Sequence, residues 1–411
     1  MTQDFINKQF YNLYIFTLFF GIILYNPIGF KSADEICALL LLVMFLFAVF
    51  KSKNWEFNKV FLFTIAVFTF YTSYSIYISS NTKAAIITDL IIQMKPYLGF
   101  FAVYQLRPLF DKIQKKILQD ICLVLWFILL PIGLIGIFDP FFIGKVMVHP
   151  TYFAAAIVAL SLTYLFCGKY TMKEKVIFLF MLSIGLASGR SKFYGFFALA
   201  IVSIIYFGKA NNIKMNLKTI LIFICTITLI CYVAWEKIHL YFVAGITGEV
   251  EEDLIARYVL YSTSILIFKD YLPLGSGLAS FATHASGAYY SDIYSKYGID
   301  HVWGINKIGW EFIADTYYPS LAQFGIVGII LYISFWIYVL RKAYLFFLKN
   351  KQAKYIIITL LITGYITIEN IADASITSNR GFFMMMLLGL TMAEIKSLEL
   401  KNKVSIINSK Q

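Results

Sequence analysis

Charged residues are scarce in this sequence. They make up 14% of its 411 residues, whereas 60% are hydrophobic and 18% aromatic, and the mean hydropathy is +0.75. A soluble domain cannot bury so much apolar surface, so this composition excludes an ordinary globular protein. The apolar runs are continuous rather than alternating, and we therefore expect an all-α, polytopic integral membrane protein.

Cysteine and arginine are also rare. The five cysteines lie in or at the ends of apolar runs, and none falls in the long polar segment at 236–317. This placement excludes a disulfide framework or a metal-ligand spacing there, and we expect neither a metal nor another cofactor. Only five of the 35 basic residues are arginine. Because lysine is the usual basic residue of this chain, the few positions that carry arginine are candidates for a specific role.

The apolar runs predict about twelve transmembrane helices, since a crossing needs roughly 17–25 mostly apolar residues. The first run lacks a small-residue cleavage site and another span follows it directly, so we expect it to remain in the mature protein rather than act as a signal peptide. The chain then divides into nine spans (1–235), one large loop (236–317), and three spans with a tail (318–411). The predicted spans are 10–29, 34–50, 60–79, 86–106, 117–138, 150–167, 176–188, 192–208, 217–235, 318–340, 355–371 and 380–395.

The net charge of +12 is explained by the positive-inside rule. With the N-terminus inside, 23 basic residues fall in cytoplasmic segments and 11 in outer segments, and Lys95 lies within a span. This distribution predicts that both termini are cytoplasmic and that the 236–317 loop is outside. Because membrane orientation accounts for the basic excess, we do not expect nucleic acid as a partner, and membrane lipids are the surroundings that the composition implies.

The stretch LASGRSKFYG places an arginine between two short apolar runs. The predicted helices 176–188 and 192–208 together contain fewer residues than two full crossings need. We therefore expect the turn with Arg190 and Lys192 to lie below the outer membrane surface. Charges at that depth normally face a protein interior or a water-filled cavity and tend to be functional. The alternative is an ordinary outer turn whose basic side chains extend to the headgroups.

Three of the five arginines fall on the predicted outer side. Arg107 and Arg341 begin basic cytoplasmic loops, whereas Arg190, Arg257 and Arg380 lie outside, where basic residues are sparse. Arginine stays charged and presents a planar fork that binds phosphate oxygens in pairs, whereas lysine acts as a point charge. The pattern favours a site for a phosphate-bearing anion on the outer side.

The outer loop is acidic overall, with a net charge of −5, so Arg257 needs a local explanation. The sequence EEDLIARYVLYSTSILIFKDY predicts an amphipathic helix along the membrane surface, with Arg257 beside its apolar stripe. An Asp253–Arg257 surface pair is the alternative. Beyond the helix, DYLPLGSGLASF predicts a turn in which Gly275 and Gly277 permit close backbone approach. The predicted stripe consists of Leu254, Tyr258, Tyr261, Ile265 and Phe268.

Candidate catalytic residues also lie on the outer side. Asp315 precedes a span and is either a helix N-cap or a carboxylate at the outer mouth of a cavity, where it would act as a general base or orient the acceptor. His284 and His301 are the fallback candidates in the loop, since histidine titrates near neutral pH. Glu369, Asp373 and Arg380 lie between the last two spans, where they form either part of the site or a local salt-bridged cluster. Deeper in the membrane, Lys95 is a candidate for serving the cavity from below, and Asp89 is the other deep charge.

Three stretches together resemble ordered landmarks of the O-antigen polymerase (Wzy-type) and O-antigen ligase superfamily. They are SGRSKFYG, ARYVLYSTSILIFKDYLPLGSGLASF and ADTYYPSLAQFGIVG, and VHPTYFAAAIV is similar to the span that follows a short outer loop in that family. The resemblance covers roughly residues 145–345. It implies a GT-C-like fold and a metal-independent glycosyltransferase whose donor is an oligosaccharide on undecaprenyl pyrophosphate. Arg190 and Arg257 match the family's pyrophosphate-binding arginines.

The resemblance further implies a polymerase that joins lipid-linked repeat units into O-antigen or capsule at the outer face of the bacterial inner membrane, with a flippase and a chain-length regulator as partners. The ligase branch usually carries a histidine before the GxxG span. This chain has Asp315 and Thr316 there, which favours the polymerase. A ligase that transfers glycan to a lipid A core or another acceptor stays open. So does a flippase or transporter, although such a protein usually lines both leaflets with polar groups.

Overall fold

The computed structural model describes residues 3–30, 32–51, 57–209 and 255–408, together with isolated positions between 210 and 254. Within those residues the chain is helical and contains no strand. The predicted span at 217–235 and the predicted start of the surface helix at 251–254, with Asp253 and Leu254, lie outside the described residues. The helices are α1 (Gln3–Leu18, continued by a π turn at Phe19–Ile23), α2 (Ala33–Lys51), α3 (Lys59–Tyr77), α4 (Lys83–Leu106), α5 (Lys112–Phe138), α6 (Pro140–Met147), α7 (Pro150–Cys167), α8 (Met172–Ser183), α9 (Ser191–Lys209), α10 (Ala256–Asp270), α11 (His284–Ala288), α12 (Ile293–Lys296), α13 (Gly325–Asn350), α14 (Ala353–Glu369) and α15 (Asn379–Asn408).

Seven of the described helical segments are long and apolar enough to cross a bilayer: α2, α3, α4, α5, α7, α13 with the turn before it, and α15. The prediction of a helical membrane protein is confirmed to this extent, while twelve spans and a GT-C-like fold stay predictions. Several helices extend beyond the predicted crossings. The first helix begins at Gln3, ahead of the predicted crossing at residue 10, and its π turn ends at Ile23. The span predicted at 318–340 begins with a 3-10 turn (Tyr318–Phe324) and continues to Asn350.

The helix ends follow local sequence signals. Asp111 and Gln114 form a reciprocal capping box at the start of α5, and Thr171 and Glu174 form another at the start of α8. The core of the bundle is the contact of α4 with α15. A Cβ at Gly389 would meet the backbone of Phe100, so the missing side chain allows these two helices to approach closely. Helix α9 packs on α14, and α5 packs on α7.

Helix α10 packs on the protein through a face next to the predicted apolar stripe. Its buried residues are Ala256, Val259, Leu260, Thr263 and Ile267, and it packs against the 3-10 turn that precedes α13. Of the predicted stripe, Ile265 is 69% exposed, whereas Tyr258 packs partly against this core. That the stripe lies along the membrane surface stays a prediction.

The segment from α10 to the start of α13, predicted to be the outer loop and called the outer segment, is fixed to the bundle through a buried carboxylate. Asp89 of α4 accepts a hydrogen bond from the backbone N–H of Ala279 at 2.7 Å, and Oε1 of Gln323 accepts one from Ser280 N–H at 2.9 Å. Above this contact the segment has a small core of its own that includes Phe281 and Tyr294. Asp89, one of the deep charges of the sequence, therefore has a clear structural partner.

The Pro-x-Gly-x-Gly turn (residues 273–277) crosses the start of α13, and the two backbones lie in close contact there. Gly275 and Gly325 face each other, both with positive φ (83° and 56°), and a Cβ on Gly325 would overlap the carbonyl oxygen of Pro273. The backbone of Gly277 also donates to the carbonyl of Gln323 at 2.9 Å. This crossing fixes the outer segment above the helices that carry the candidate site.

We expect Gly325→Ala to lower the free energy of unfolding by more than about 3 kcal/mol, because it adds overpacking against Pro273 to left-handed backbone strain. Gly298→Ala is the matched control, since Gly298 has a similar φ of +66° and open space around its Cβ position. That control should lose only about 1–2 kcal/mol. Thermal unfolding of both purified variants in detergent checks this, and equal midpoints would show that the crossing is not tightly packed.

Candidate functional site

Seven charged side chains converge at one end of the bundle. They come from the turn between α8 and α9, from α10, from the approach to α13, and from the connection between α14 and α15. By the positive-inside count this is the predicted outer end. The four basic residues and three carboxylates leave one excess positive charge. The cluster consists of Arg190, Lys192, Arg257, Arg380, Asp315, Glu369 and Asp373.

The prediction of two helices that flank the turn at Arg190 is confirmed. Helix α8 ends in a 3-10 turn (Ile184–Ser188), and Gly189 follows in the left-handed conformation with φ +63°. A 3-10 turn rises more steeply per residue than an α-helix, so it lengthens the short helix without additional residues. The chain then reverses, and α9 begins at Ser191. Arg190 and Lys192 therefore lie on either side of the start of α9.

Lys192 binds the C-terminal end of α14. Its Nζ lies 2.7 Å from Oε2 of Glu369 and donates to the carbonyl oxygen of Ala372 at 3.1 Å. Both side chains are largely buried, with 13% and 6% exposed. A cation at a helix C-terminus also interacts favourably with the helix dipole. Lys192 thus holds α9 and α14 together at the site.

Arg380 and Asp373 form a two-bond ion pair, with Nη1 and Nη2 of Arg380 lying 2.9 and 3.1 Å from the two carboxylate oxygens. The guanidinium also lies over the ring of Tyr152, 5.3 Å from its centroid. Burial raises the pKa of Asp373, but the charges of Arg380, Lys192 and Arg190 outweigh it and hold the pKa below the usual value. Asp373 is therefore ionised at neutral pH. The proposed local salt-bridged cluster is present here.

Arg257 forms an ion pair with Asp315, which connects α10 to the approach of α13. No side chain caps the following 3-10 turn, so the N-cap interpretation of Asp315 was wrong. Burial raises the pKa of Asp315, Arg257 opposes that shift, and the charge of Asp373 raises the pKa further. Tyr261 of α10 donates to the carbonyl oxygen of Ile371 at 2.8 Å. The outer helix is thereby fixed beside the α14–α15 connection.

Arg190 differs from the other three basic residues. In the part of the chain that the structure describes, its guanidinium has no hydrogen bond or ion pair, and only its backbone N–H is bonded, to Ser188 Oγ at 3.4 Å. The side chain is half-buried, and its charge lowers the pKa of both Asp373 and His149. Arg190 therefore lies within the cluster and is available for an external anion.

His149 is a site residue that the sequence analysis did not single out. Its side chain is exposed and caps α7, and its ring lies edge-on to Tyr152 with the centroids 6.2 Å apart. Partial desolvation of the ring lowers its pKa, and the charge of Arg190 lowers it further. The only available signal was its position in VHPTYF, directly before an outer helix start.

The two loop histidines are placed differently. His284 and His301 are both exposed in the outer segment, and the ring of His284 packs against Trp310 at 5.3 Å. Neither is among the groups that most affect the pKa of Asp315 or Asp373. Neither histidine is therefore shown to be part of the cluster, and a catalytic role for either one stays a prediction. In the described residues no group of three or more His, Cys, Asp and Glu side chains has metal-binding geometry.

Lys95 lies in a different environment from the cluster. It is buried in α4 and forms ion pairs with Asp34 and with Glu35, the latter at 3.0 Å, near the start of α2. Asp34 is almost fully buried, with 2% of its side chain exposed. The pair gives Lys95 a structural partner, and its role in a cavity stays a prediction.

We expect Lys95→Met to cost about 3–5 kcal/mol of stability, because it leaves Asp34 buried without its partner. The double variant Lys95→Met with Asp34→Leu should recover most of that loss. Thermal unfolding of both purified variants in detergent checks this. A double variant as unstable as Lys95→Met would show that the pair with Asp34 is not what Lys95 contributes to the fold.

Two mainly apolar cavities have lining residues close in sequence to members of the cluster. One, of about 650 Å³, lies between α5 and α8 from Trp126 to Gly189, so it ends at the residue before Arg190. The other, of about 290 Å³, lies between α3 and α13 and includes Tyr317 and Tyr332. Tyr332 also accepts a hydrogen bond from Asn370 at 3.4 Å, next to Glu369. Each cavity is mainly apolar and approaches the charged end of the bundle.

Comparison of the chain with protein-family models, with curated proteins and with solved structures gives no match. The resemblance to the O-antigen polymerase and ligase superfamily therefore stays a prediction.

Proposed function

We propose that this protein is a membrane glycosyltransferase that polymerises oligosaccharide repeat units carried on undecaprenyl pyrophosphate. The reaction takes place at the outer face of a bacterial inner membrane. The observation that carries the proposal is the convergence of Arg190, Lys192, Arg257 and Arg380 with the carboxylate of Asp315 at one end of the helical bundle. Sequence positions up to 190 residues apart come together there, at the end that the charge distribution predicts to be outside.

The free site keeps its basic residues in place through internal carboxylates. Three of the four cations are ion-paired, and Arg190 is the one that binds the incoming pyrophosphate first. The pyrophosphate then competes with Asp315 for Arg257, because a multiply charged anion attracts the guanidinium more strongly than a single carboxylate does. The cations are already positioned before the substrate binds, so little reorganisation is needed when charge develops on the leaving group.

Displacement from Arg257 leaves Asp315 free to act as a general base. Its raised pKa makes it a better proton acceptor than an ordinary aspartate. A hydroxyl of the acceptor sugar loses its proton to Asp315 and attacks the anomeric carbon of the donor. The new glycosidic bond forms as the bond between that carbon and the phosphate oxygen breaks, and the electron pair leaves with the lipid pyrophosphate. The basic residues stabilise the departing negative charge.

The apolar cavity below Gly189 supports a substrate with a hydrocarbon tail. It extends along α5 from Trp126 to Ile137, a helical distance of about 16 Å, or roughly half of the hydrocarbon core of a bilayer. A tail in this cavity places its phosphate groups beside Arg190. The outer segment above the cluster supplies the surface that faces the sugars.

Reconstitution with a lipid-pyrophosphate-linked oligosaccharide tests the proposal. Purified protein in proteoliposomes should convert single repeat units into a ladder of longer lipid-linked chains and release undecaprenyl pyrophosphate. Transfer of glycan only when a lipid A core acceptor is added would assign the protein as a ligase. Movement of the lipid-linked substrate between leaflets without new glycosidic bonds would assign it as a flippase, and both results would overturn the polymerase.

A further inference from the structure

His149 is linked to the charged cluster through Tyr152. Its ring lies edge-on to Tyr152, with the centroids 6.2 Å apart, and the guanidinium of Arg380 lies over the same tyrosine at 5.3 Å. Arg380 in turn makes the two-bond pair with Asp373. His149 thus stands on the wall of the cluster, at the start of α7, while Arg190 approaches from the α8–α9 turn.

The protonation state of His149 follows from its backbone contact. Its Nδ1 accepts a hydrogen bond from the backbone N–H of Thr151 at 3.2 Å. The accepting nitrogen carries no proton, so in the neutral ring the proton is on Nε2. Partial desolvation of the ring and the neighbouring charge of Arg190 lower the pKa of His149 and outweigh the opposing charge of Asp373, which favours the neutral ring at pH 7. The side chain is therefore a fixed, uncharged hydrogen-bond donor in a cluster of charges.

We propose that His149 donates a hydrogen bond from Nε2 to an oxygen of the same lipid-linked pyrophosphate that Arg190 binds. This inference rests on the proposed function. A neutral donor beside Arg190 adds a directed bond to the anion without adding a second positive charge that would repel the guanidinium. The departing pyrophosphate needs no proton, so His149 binds and orients the substrate and does not transfer a proton.

Two substitutions separate the donor from the helix cap. His149→Asn keeps a side-chain oxygen that can cap Thr151, since asparagine is a preferred N-cap residue, but it removes the donor at the Nε2 position. His149→Gln has an amide N–H that reaches the Nε2 position, but glutamine is a poor cap. A structural role and a binding role therefore predict opposite orders of the two variants.

The test measures binding of farnesyl pyrophosphate to the full-length protein in detergent by calorimetry, with farnesol as the uncharged control. We expect His149→Asn to weaken binding of farnesyl pyrophosphate at least about tenfold and to leave the thermal midpoint near that of the wild type. His149→Gln should bind more tightly than His149→Asn and melt at a lower temperature.

The outcomes distinguish this inference from the proposed function. Wild-type protein that binds farnesyl pyrophosphate no better than farnesol would overturn both. Binding that requires Arg190 but is unchanged in His149→Asn would overturn the role of His149 and leave the proposed function standing. Binding that follows the thermal midpoint across the two variants would likewise assign His149 to the helix cap alone.

Discussion

Replacing Arg190 with alanine is expected to lower the rate of glycan transfer by about 100- to 1,000-fold, the usual cost of removing one preorganised group that stabilises developing negative charge. The amount of folded protein should stay normal, because the Arg190 guanidinium makes no hydrogen bond or ion pair among the described residues. Affinity for the lipid pyrophosphate should fall as well. Turnover by the purified protein in proteoliposomes gives the measurement.

Two further substitutions sharpen this result. Arg190→Lys should retain part of the activity, since lysine supplies the charge without the planar fork. Arg341→Ala is the matched control, because Arg341 is an exposed arginine at the opposite end of the bundle, and its activity should equal that of the wild type. Full activity in Arg190→Ala would remove the arginine from the mechanism.

Replacing Asp315 with asparagine should lower the turnover number by about 100- to 10,000-fold, the range for loss of a general base. The same substitution removes the carboxylate that competes for Arg257, so the lipid pyrophosphate should bind as tightly as in the wild type or more tightly. This opposite response of turnover and binding distinguishes a base from a residue that merely supports the fold. Asp300→Asn, an exposed outer carboxylate bonded to Ser295, is the control and should be neutral.

The pH dependence gives an independent readout of Asp315. A carboxyl group must be deprotonated to accept a proton, so wild-type activity should fall as the pH is lowered through the pKa of Asp315. Because burial raises that pKa, the fall should come at a higher pH than the value of about 4 for an ordinary aspartate. Residual activity of Asp315→Asn should lack this step. An unchanged pH profile in the variant would show that another group is the base.

The sequence predicted the parts of the site that depend on membrane physics. Continuous apolar runs identified the helices, and the short hairpin with its central charge correctly located Arg190 and Lys192 at the end of two helices. The scarcity of arginine pointed to Arg257 and Arg380. These inferences succeed because a charged side chain inside a bilayer is energetically costly. A charged residue within or between apolar segments therefore indicates a protein interior or a functional site.

The partners in the ion pairs could not be predicted from the sequence. The ion pair of Arg257 with Asp315 joins residues 58 positions apart and arises from the packing of α10, whereas the alternative pair with Asp253 falls outside the described residues and stays a prediction. His149 was overlooked because a single histidine before a proline has no periodic signal, and the contact of its neighbour Tyr152 with Arg380 arises only in three dimensions. Lys95 was read as a cavity residue because its partners Asp34 and Glu35 are about 60 positions away.

The most direct test of the account is a cryo-EM structure of the protein in lipid nanodiscs with undecaprenyl pyrophosphate. The account predicts density for the two phosphates within hydrogen-bond distance of Arg190 and Arg257, with Asp315 released from its ion pair. Phosphate density elsewhere in the protein, or an Arg257–Asp315 pair that remains closed around an empty cluster at saturating lipid, would contradict it.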